Sequence, residues 1–247
     1  MKLDNCSVLL PLRSNPQGDL RREVLGSLLG GDIRKVRSNR MYVTAVNKVS
    51  LDISQGDRIG IIGRNGSGKT SLLKTLAGVY LPQEGKIDIR GRIVSLLTLG
   101  YGMEGELSGY ANIPNLCIQF GLDIRDTQNK LDEIIEFSEL GDFFFQPIKV
   151  YSSGMKLRLL LAVATLSAPD ILLMDEWFGT GDIAFRNKAD QKISELMKKT
   201  GIIILASHSA GLLNKWTTKT IWMDKGKLME FGPSEIVTQK YMEFATK

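Results

Sequence analysis

The stretch RIGIIGRNGSGKTSLLKTLAG, Arg58 to Gly78, constrains this chain more than any other. Its first six residues form a short, continuous apolar run, the pattern of a strand buried on both faces of a sheet. Its last part sets Leu72, Leu73, Leu76 and Ala77 on a helix. Between them, Gly63-Arg64-Asn65-Gly66-Ser67-Gly68-Lys69-Thr70 matches G-x-x-x-x-G-K-[ST] without exception. A strand, a glycine-rich loop and a helix in that order make a phosphate cradle. Gly63, Gly66 and Gly68 let the backbone bend and approach an anion. The N–H groups of Arg64, Asn65, Ser67 and the helix start at Ser71 hold phosphate oxygens. Lys69 adds a positive charge, and the Thr70 hydroxyl is a candidate Mg²⁺ ligand. The competing reading is a glycine-rich turn with a chance lysine, against which the flanking strand and helix weigh.

Apolar runs of strand character alternate with helical stretches, which predicts an α/β fold with a mainly parallel sheet. The runs RIGIIG (58–63), DILLMDE (170–176) and GIIILAS (201–207) read as buried strands. TIWMDKGKLMEFG (220–232) reads as a hairpin turning at Asp224 to Lys227, an antiparallel part of the fold. Two segments read as additions to a single domain spanning 1–247. In residues 18–35, Leu20, Val24, Leu25, Leu28 and Leu29 share a helical stripe, with Gly30-Gly31 as a stop. Residues 108–145 carry helical patterns and no strand, with Gly121 ending one helix and Leu131, Ile134 and Ile135 on one side of another. With the helix that follows, this predicts an inserted helical subdomain over about 108–165.

Composition narrows the class. A hydrophobic share of 43% over 247 residues supports a large core and excludes global disorder. The uncharged apolar run Leu159 to Pro169 is shorter than the roughly 20 residues of a membrane span. The start, MKLDNCSVLLPLRSNP, lacks a signal-peptide pattern, which places the chain in the cytosol or on the cytosolic face of a membrane. Cys6 and Cys117 match no metal spacing and read as reduced thiols. The net charge of +5 is uneven: Arg13 to Arg40 holds seven Lys or Arg against three Asp or Glu. That excess suits an anionic surface or partner, or is simply a solvated basic face.

Three further places carry candidate chemistry. Asp175 and Glu176 close an apolar run, and strand carboxyl ends are where open α/β sheets bind ligands. Asp175 there can hold Mg²⁺, and Glu176 can orient or deprotonate a water that attacks a γ-phosphate. His208, the sole histidine, follows another buried strand and would emerge at the same edge, placed to bond the γ-phosphate or that water. Finally, Ser152, Ser153 and Gly154 in VYSSGMKLRLLLAVATL open a helix that is apolar almost all round. They either cap the helix or, with its N-terminus, bind an anion.

These pieces in this order resemble the nucleotide-binding subunit of an ABC transporter, from about Tyr42 to Glu230. The resemblance implies a P-loop ATPase binding ATP and Mg²⁺. YSSGM (151–155) resembles that family's signature Leu-Ser-Gly-Gly-Gln. In the family two subunits pair head to tail, and the signature of one faces the ATP on the other's phosphate loop. On that reading Ser152, Ser153 and Gly154 bind the partner's nucleotide, and a homodimer is implied. Asp182 in GTGD resembles the aspartate linking the two sites, and Tyr42 is either the adenine-stacking aromatic or an ordinary strand residue. The chain departs from the family in three places. LLTLGYGMEGELSGYANI (96–113) lacks the usual Gln, Ser-Ser-Gly-Met replaces Ser-Gly-Gly-Gln, and Trp177 and Phe178 follow Glu176.

LGYGMEGELSGYANI, IIEFSELGDFF, VYSSGM and DEWFGTGDIAF are similar to one branch, the ATPases of O-antigen, capsule and teichoic acid exporters. Its members also tend to carry an N-terminal insertion like residues 18–35. The resemblance implies a peripheral ATPase on the cytoplasmic face of a bacterial inner membrane. It would power a separate permease that moves a lipid-linked polysaccharide. With about 15 residues after Gly232, the sequence leads us to expect no C-terminal carbohydrate-binding domain of the kind that some members carry. The alternatives are an ATPase of drug or lipid export and, further off, a nucleic-acid-associated one. About 80 residues between Lys69 and Tyr151 leave no room for the long coiled coil of the repair type, and a single cassette does not fit the translation type, so no nucleic-acid partner is expected.

Overall fold

The computed structural model describes residues 1–11, 33–35, 41–97, 102–175 and 183–246. The chain divides into two units. The first holds Met1–Arg90, Met174–Glu176 and Ile202–Lys247; the second holds Gly91–Leu173 and Trp177–Gly201.

In the first unit, strands β1 (Lys2–Pro11), β2 (Ile33–Lys35), β3 (Met41–Asp52) and β5 (Glu84–Asp88) form an antiparallel sheet in the order β2-β3-β1-β5. The ladder between β1 and β3 slips at three places, and Asn5 (φ 47°) and Lys48 (φ 50°) take up the bends. Strand β4 (Arg58–Ile62) lies between β8 (Ile202–Ala206) and β9 (Lys219–Asp224), parallel to both. β9 turns through Lys225 and Gly226, both at positive φ, into antiparallel β10 (Lys227–Pro233). β4 and β8 are apolar along their length because both of their faces are buried: Ile59, Ile61, Ile62 and all of Ile202–Ala206 are at most 5% exposed. Helix α1 (Lys69–Leu76) seats Leu72, Leu73 and Leu76, each at 0% exposure. Truncating any of them to Ala would cost about 2–5 kcal/mol. The unit closes with α7 (Ala210–Trp216) and α8 (Ser234–Ala245).

The second unit is mainly helical. It holds β6 (Ile93–Leu96), α2 (Gly109–Phe120), α3 (Ile124–Gln128), α4 (Leu131–Ser138), α5 (Ser153–Ala164), the start of β7 (Ile171–Asp175) and α6 (Ile183–Lys199). The local causes are visible. Ser108 caps α2 by accepting the Ala111 N–H, and α2 stops on Gly121 at φ 62°. Asp123 caps α3, accepting from the N–H groups of Arg125 and Asp126. Phe120, Phe144 and Phe185 are fully buried and dominate this core. β7 runs from this unit into the first, carrying Asp175 with it.

Most of the basic insertion, 12–32 and 36–40, lies outside the described residues, and so does the helix expected over Leu20 to Leu29. Ile33–Lys35 is a short strand paired with Met41–Val43.

Candidate nucleotide site

The phosphate loop leaves β4 at Gly63. Two glycines are required there by space as well as by φ. A Cβ on Gly63 would stand 2.3 Å from the Met223 carbonyl oxygen, and one on Gly68 (φ 104°) would stand 2.5 Å from the Ala45 carbonyl oxygen. The loop is framed from outside: the Gly226 N–H donates to the Ser67 carbonyl (2.8 Å), and the Asn47 N–H donates to the Gly226 carbonyl (2.8 Å). The hairpin turn and strand β3 thus hold a loop that is far from both in sequence. Inside the loop, the Ser67 N–H donates to the Arg64 carbonyl at 3.1 Å. Lys69 is 7% exposed, and its Nζ donates to the carbonyls of Gly63 (2.8 Å) and Arg64 (3.2 Å). An ammonium buried this far needs such partners. The first turn of α1 has no acidic residue of its own.

A cavity of about 530 Å³ opens over the loop. Asn65 through Ser71 form its floor, Leu10, Val43, Thr44 and Ala45 one wall, and Asp175 its far side. Thr70 Oγ1 donates to Asp175 Oδ2 at 2.6 Å. The fold therefore brings the loop hydroxyl and the strand-end carboxylate to one point of the cavity, although 105 residues separate them. A hydroxyl and a carboxylate are hard oxygen donors, the set that Mg²⁺ shares with substrate phosphates. The hydroxyls of Thr44 and Ser67 are buried in the cavity lining and have no hydrogen-bond partner among the described residues.

His208 sits just past β8. The parallel ladder pairs Ile61 with Ala206, and the Ser207 N–H donates to the Ile61 carbonyl at 3.0 Å. Two residues on, His208 falls level with Gly63, at the sheet edge where the loop begins. The imidazole is exposed and is not among the residues lining the cavity. Tyr42 does not line it either; its neighbour Val43 and Leu10 do. Glu176, Asp182, Trp177 and Phe178 lie outside the described residues, as does Thr98 to Tyr101 of the stretch that lacks Gln.

In the second unit Ser152 is the N-cap of α5. Its Oγ accepts the Met155 N–H at 3.1 Å, Ser153 is the first helical residue, and Gly154 follows. Ser152 and Ser153 are exposed. Tyr151 before them is buried and donates its hydroxyl to the Phe143 carbonyl at 2.7 Å; burial pushes its pKa up. Ser152, Gly154 and Met155 line a cavity of about 370 Å³ with Glu139, Leu140, Phe143 and Arg158. Glu139 takes Lys188 and Arg158 at 2.9 Å each, and Lys188 first, then Arg158, hold its carboxyl below the usual range against the opposing effect of burial. The Arg158 guanidinium also lies over the Phe185 ring, 4.3 Å from its centroid. This brace ties the first turns of α5 to α4 and α6.

Sequence reasoning missed the cavity wall at Leu10 and Val43 to Ala45. It also missed the Gly226 bond to the loop and the brace around Arg158. The nearest signal was DKG at the hairpin turn; nothing local to Leu10 or Thr44 pointed to a site.

Comparison with known proteins agrees with this geometry. A family model described as ABC transporter matches residues 46–179. The chain is 38% identical to the O-antigen export system ATP-binding protein RfbE of Yersinia enterocolitica, over 92% of this chain and 95% of that protein. It is 38% identical to the teichoic acids export ATP-binding protein TagH of Bacillus cereus over 86% of this chain, but it spans only 39% of that longer protein. Among solved structures, an ATP-binding subunit of an ABC transporter superposes with a TM-score of 0.71 at 16% identity, covering 98% of this chain and 92% of that one. The fold is that of the P-loop ABC ATPases, and the chain belongs to the ABC transporter family.

Proposed function

We propose that this chain is the ATP-hydrolysing subunit of a bacterial exporter that moves a lipid-linked polysaccharide, of O-antigen, capsule or teichoic acid type, through a separate membrane permease. The observation that carries the reading is the meeting of Thr70 and Asp175 at 2.6 Å on the cavity over the phosphate loop. Loop N–H groups and Lys69 hold the nucleotide phosphates, and Asn65, Gly66, Ser67, Gly68 and Ser71 shape the cradle. Thr70 and Asp175 would hold Mg²⁺, which would supply charge neutralisation to the nucleotide phosphates. Glu176 acts as general base on water, and His208 bonds the γ-phosphate or that water. Ser152, Ser153 and Gly154 of a second copy close over the nucleotide, with Asp182 linking the two sites; Tyr42, outside the cavity lining, is either the adenine-stacking aromatic or an ordinary strand residue.

The export assignment draws on the relatives: RfbE and TagH carry the words O-antigen export and teichoic acids export in their names. Among the described residues no helix is long and apolar enough to cross a membrane, in keeping with a peripheral subunit that relies on a permease. The helical subdomain is the docking face on this reading, and the basic segment at 13–40 meets the membrane surface, the permease or the anionic glycan.

The test is steady-state ATPase activity against protein concentration, with and without Mg²⁺, for wild type, Glu176→Gln and Ser152→Arg. Activity that steepens with concentration, falls at least about 10²-fold in the Gln variant and fails in Ser152→Arg is expected. Activity linear in protein, indifferent to Ser152 and retained in the Gln variant would refute the proposal.

A further inference from the structure

Arg64 stands in the phosphate loop, yet its side chain points away from the cavity chemistry and onto the C-terminal helix. Its Nη2 donates to the Ala245 carbonyl oxygen at 3.1 Å, 181 residues away. Its guanidinium also lies over the Phe244 ring, 5.5 Å from the centroid. The carbonyl is one of the last in α8, which have no partner within the helix, and the C-terminal end of a helix favours a cation. Phe244 is fixed in turn by Trp222, with ring centroids 5.0 Å apart, and Trp222 packs edge-on against Tyr241 at 6.0 Å. Trp222 pairs with Ile62, the last residue of β4 before the loop. The Arg64 main chain meanwhile is bonded to the loop's interior: its carbonyl accepts Lys69 Nζ at 3.2 Å and the Ser67 N–H at 3.1 Å.

One residue thus links the end of α8 to the ammonium that meets phosphate. We infer that the last turn of α8 is a positioning element for the nucleotide site, with Arg64 as the positioning residue that couples α8 docking to nucleotide binding. The inference rests on the nucleotide reading above. A phosphate that draws Lys69 Nζ off the Arg64 carbonyl changes the forces on a residue whose side chain α8 restrains. A restrained Arg64 keeps the loop in a binding-ready shape, so losing the restraint weakens binding. Linkage makes the coupling reciprocal: nucleotide must stabilise the docked end of α8 by the same factor.

The experiment is an ADP-binding cycle with hydrogen exchange. Phe244 touches no part of the cavity, so it is the informative position. Phe244→Ala should weaken ADP affinity by about three- to tenfold in the wild type, as the loss of a cation–π contact together with loop order predicts. It should change affinity less than twofold in an Arg64→Ala background. Phe244→Tyr should keep wild-type affinity, whereas Phe244→Leu, which fills similar space without a ring, should not. ADP should slow amide exchange over residues 241–246 by a matching factor. Equal losses in both backgrounds, or exchange at α8 that is blind to ADP, would overturn the coupling. Wild type that binds ADP, loses it in Lys69→Met and ignores Phe244→Ala keeps the site and removes only this inference. Wild type that binds no ADP removes both.

Discussion

Two glycines at positive φ separate backbone strain from close approach. Gly78 lies just past α1 at φ 75°, and a Cβ there would meet nothing within 4 Å. Gly68 sits in the phosphate loop at φ 104°, and a Cβ there would stand 2.5 Å from the Ala45 carbonyl and 3.3 Å from the Gly226 Cα. Gly78→Ala therefore bears only the left-handed penalty, about 1–2 kcal/mol, partly offset by the lower entropy of the unfolded chain. A net loss of about 1 kcal/mol is expected, or about 2–4 °C in Tm for a chain of this size. Gly68→Ala bears a comparable backbone cost plus displacement of two backbones that are already hydrogen-bonded into the frame, in total about 3 kcal/mol and about 6–12 °C. Thermal unfolding read by circular dichroism compares the two. Nucleotide titration of the folded variants adds a second axis: Gly68→Ala should lose ATP affinity while Gly78→Ala keeps it. Equal Tm shifts for the two variants, or wild-type ATP affinity in Gly68→Ala, would refute the claim that β3 and the hairpin turn press directly on the loop.

Other outcomes follow from single contacts. Lys69→Met should weaken ATP binding by about 10- to 100-fold in calorimetry, because a charge-assisted phosphate bond is lost, yet shift Tm by less than about 3 °C, because the burial cost of the ammonium goes with its two carbonyl bonds. Ser152→Asp should keep the Tm within about 2 °C, since Asp caps a helix as well as Ser, but abolish ATPase activity if, as proposed, a partner's phosphate comes to Ser152; retained activity would mean that Ser152 only caps. Burial pushes the Asp57 pKa up, but the bond from Lys219 at 2.8 Å and the Ser54 N–H at 2.9 Å outweigh it and leave the pKa lowered. A depressed carboxylate stabilises the fold above the unfolded value of about 3.9 and loses that stabilisation as pH falls through the folded pKa. Between pH 5 and pH 3 the urea midpoint of Asp57→Asn should therefore fall less than that of wild type; parallel curves would show that the pair contributes nothing.

What could be read from the sequence was what is local. The runs at 58–62, 171–175 and 202–206 are continuous because both of their faces are covered, and a strand without alternation still betrays itself by its length and its neighbours. The hairpin over 219–233 was legible through DKGK, since Lys225 and Gly226 both adopt positive φ. The first strands were not. β1 and β3 pair across about forty residues with three register slips, so neither keeps an unbroken alternation along its length. Their loss hid the cavity wall, because Leu10, Val43, Thr44 and Ala45 become neighbours of the phosphate loop only through that slipped ladder and the Gly226 turn. A phosphate motif announces its floor, and its walls are supplied by whatever the topology folds back over it.

Ser152 shows a different limit. The sequence offers a choice between helix cap and anion site, and the structure gives the cap: Ser152 Oγ accepts the Met155 N–H at 3.1 Å. That bond does not decide the choice, because a hydroxyl has two acceptor lone pairs and one donor hydrogen. Capping uses a lone pair and leaves the O–H to donate outward, from an exposed position at the positive end of a twelve-residue helix. A cap serine can thus also donate to an anion, so the cap bond is compatible with both readings. Only a substitution that preserves the acceptor, removes the donor and adds a negative charge can part them, which is why aspartate is more informative here than alanine. Alanine removes both roles together, and its effect on activity could be assigned to either.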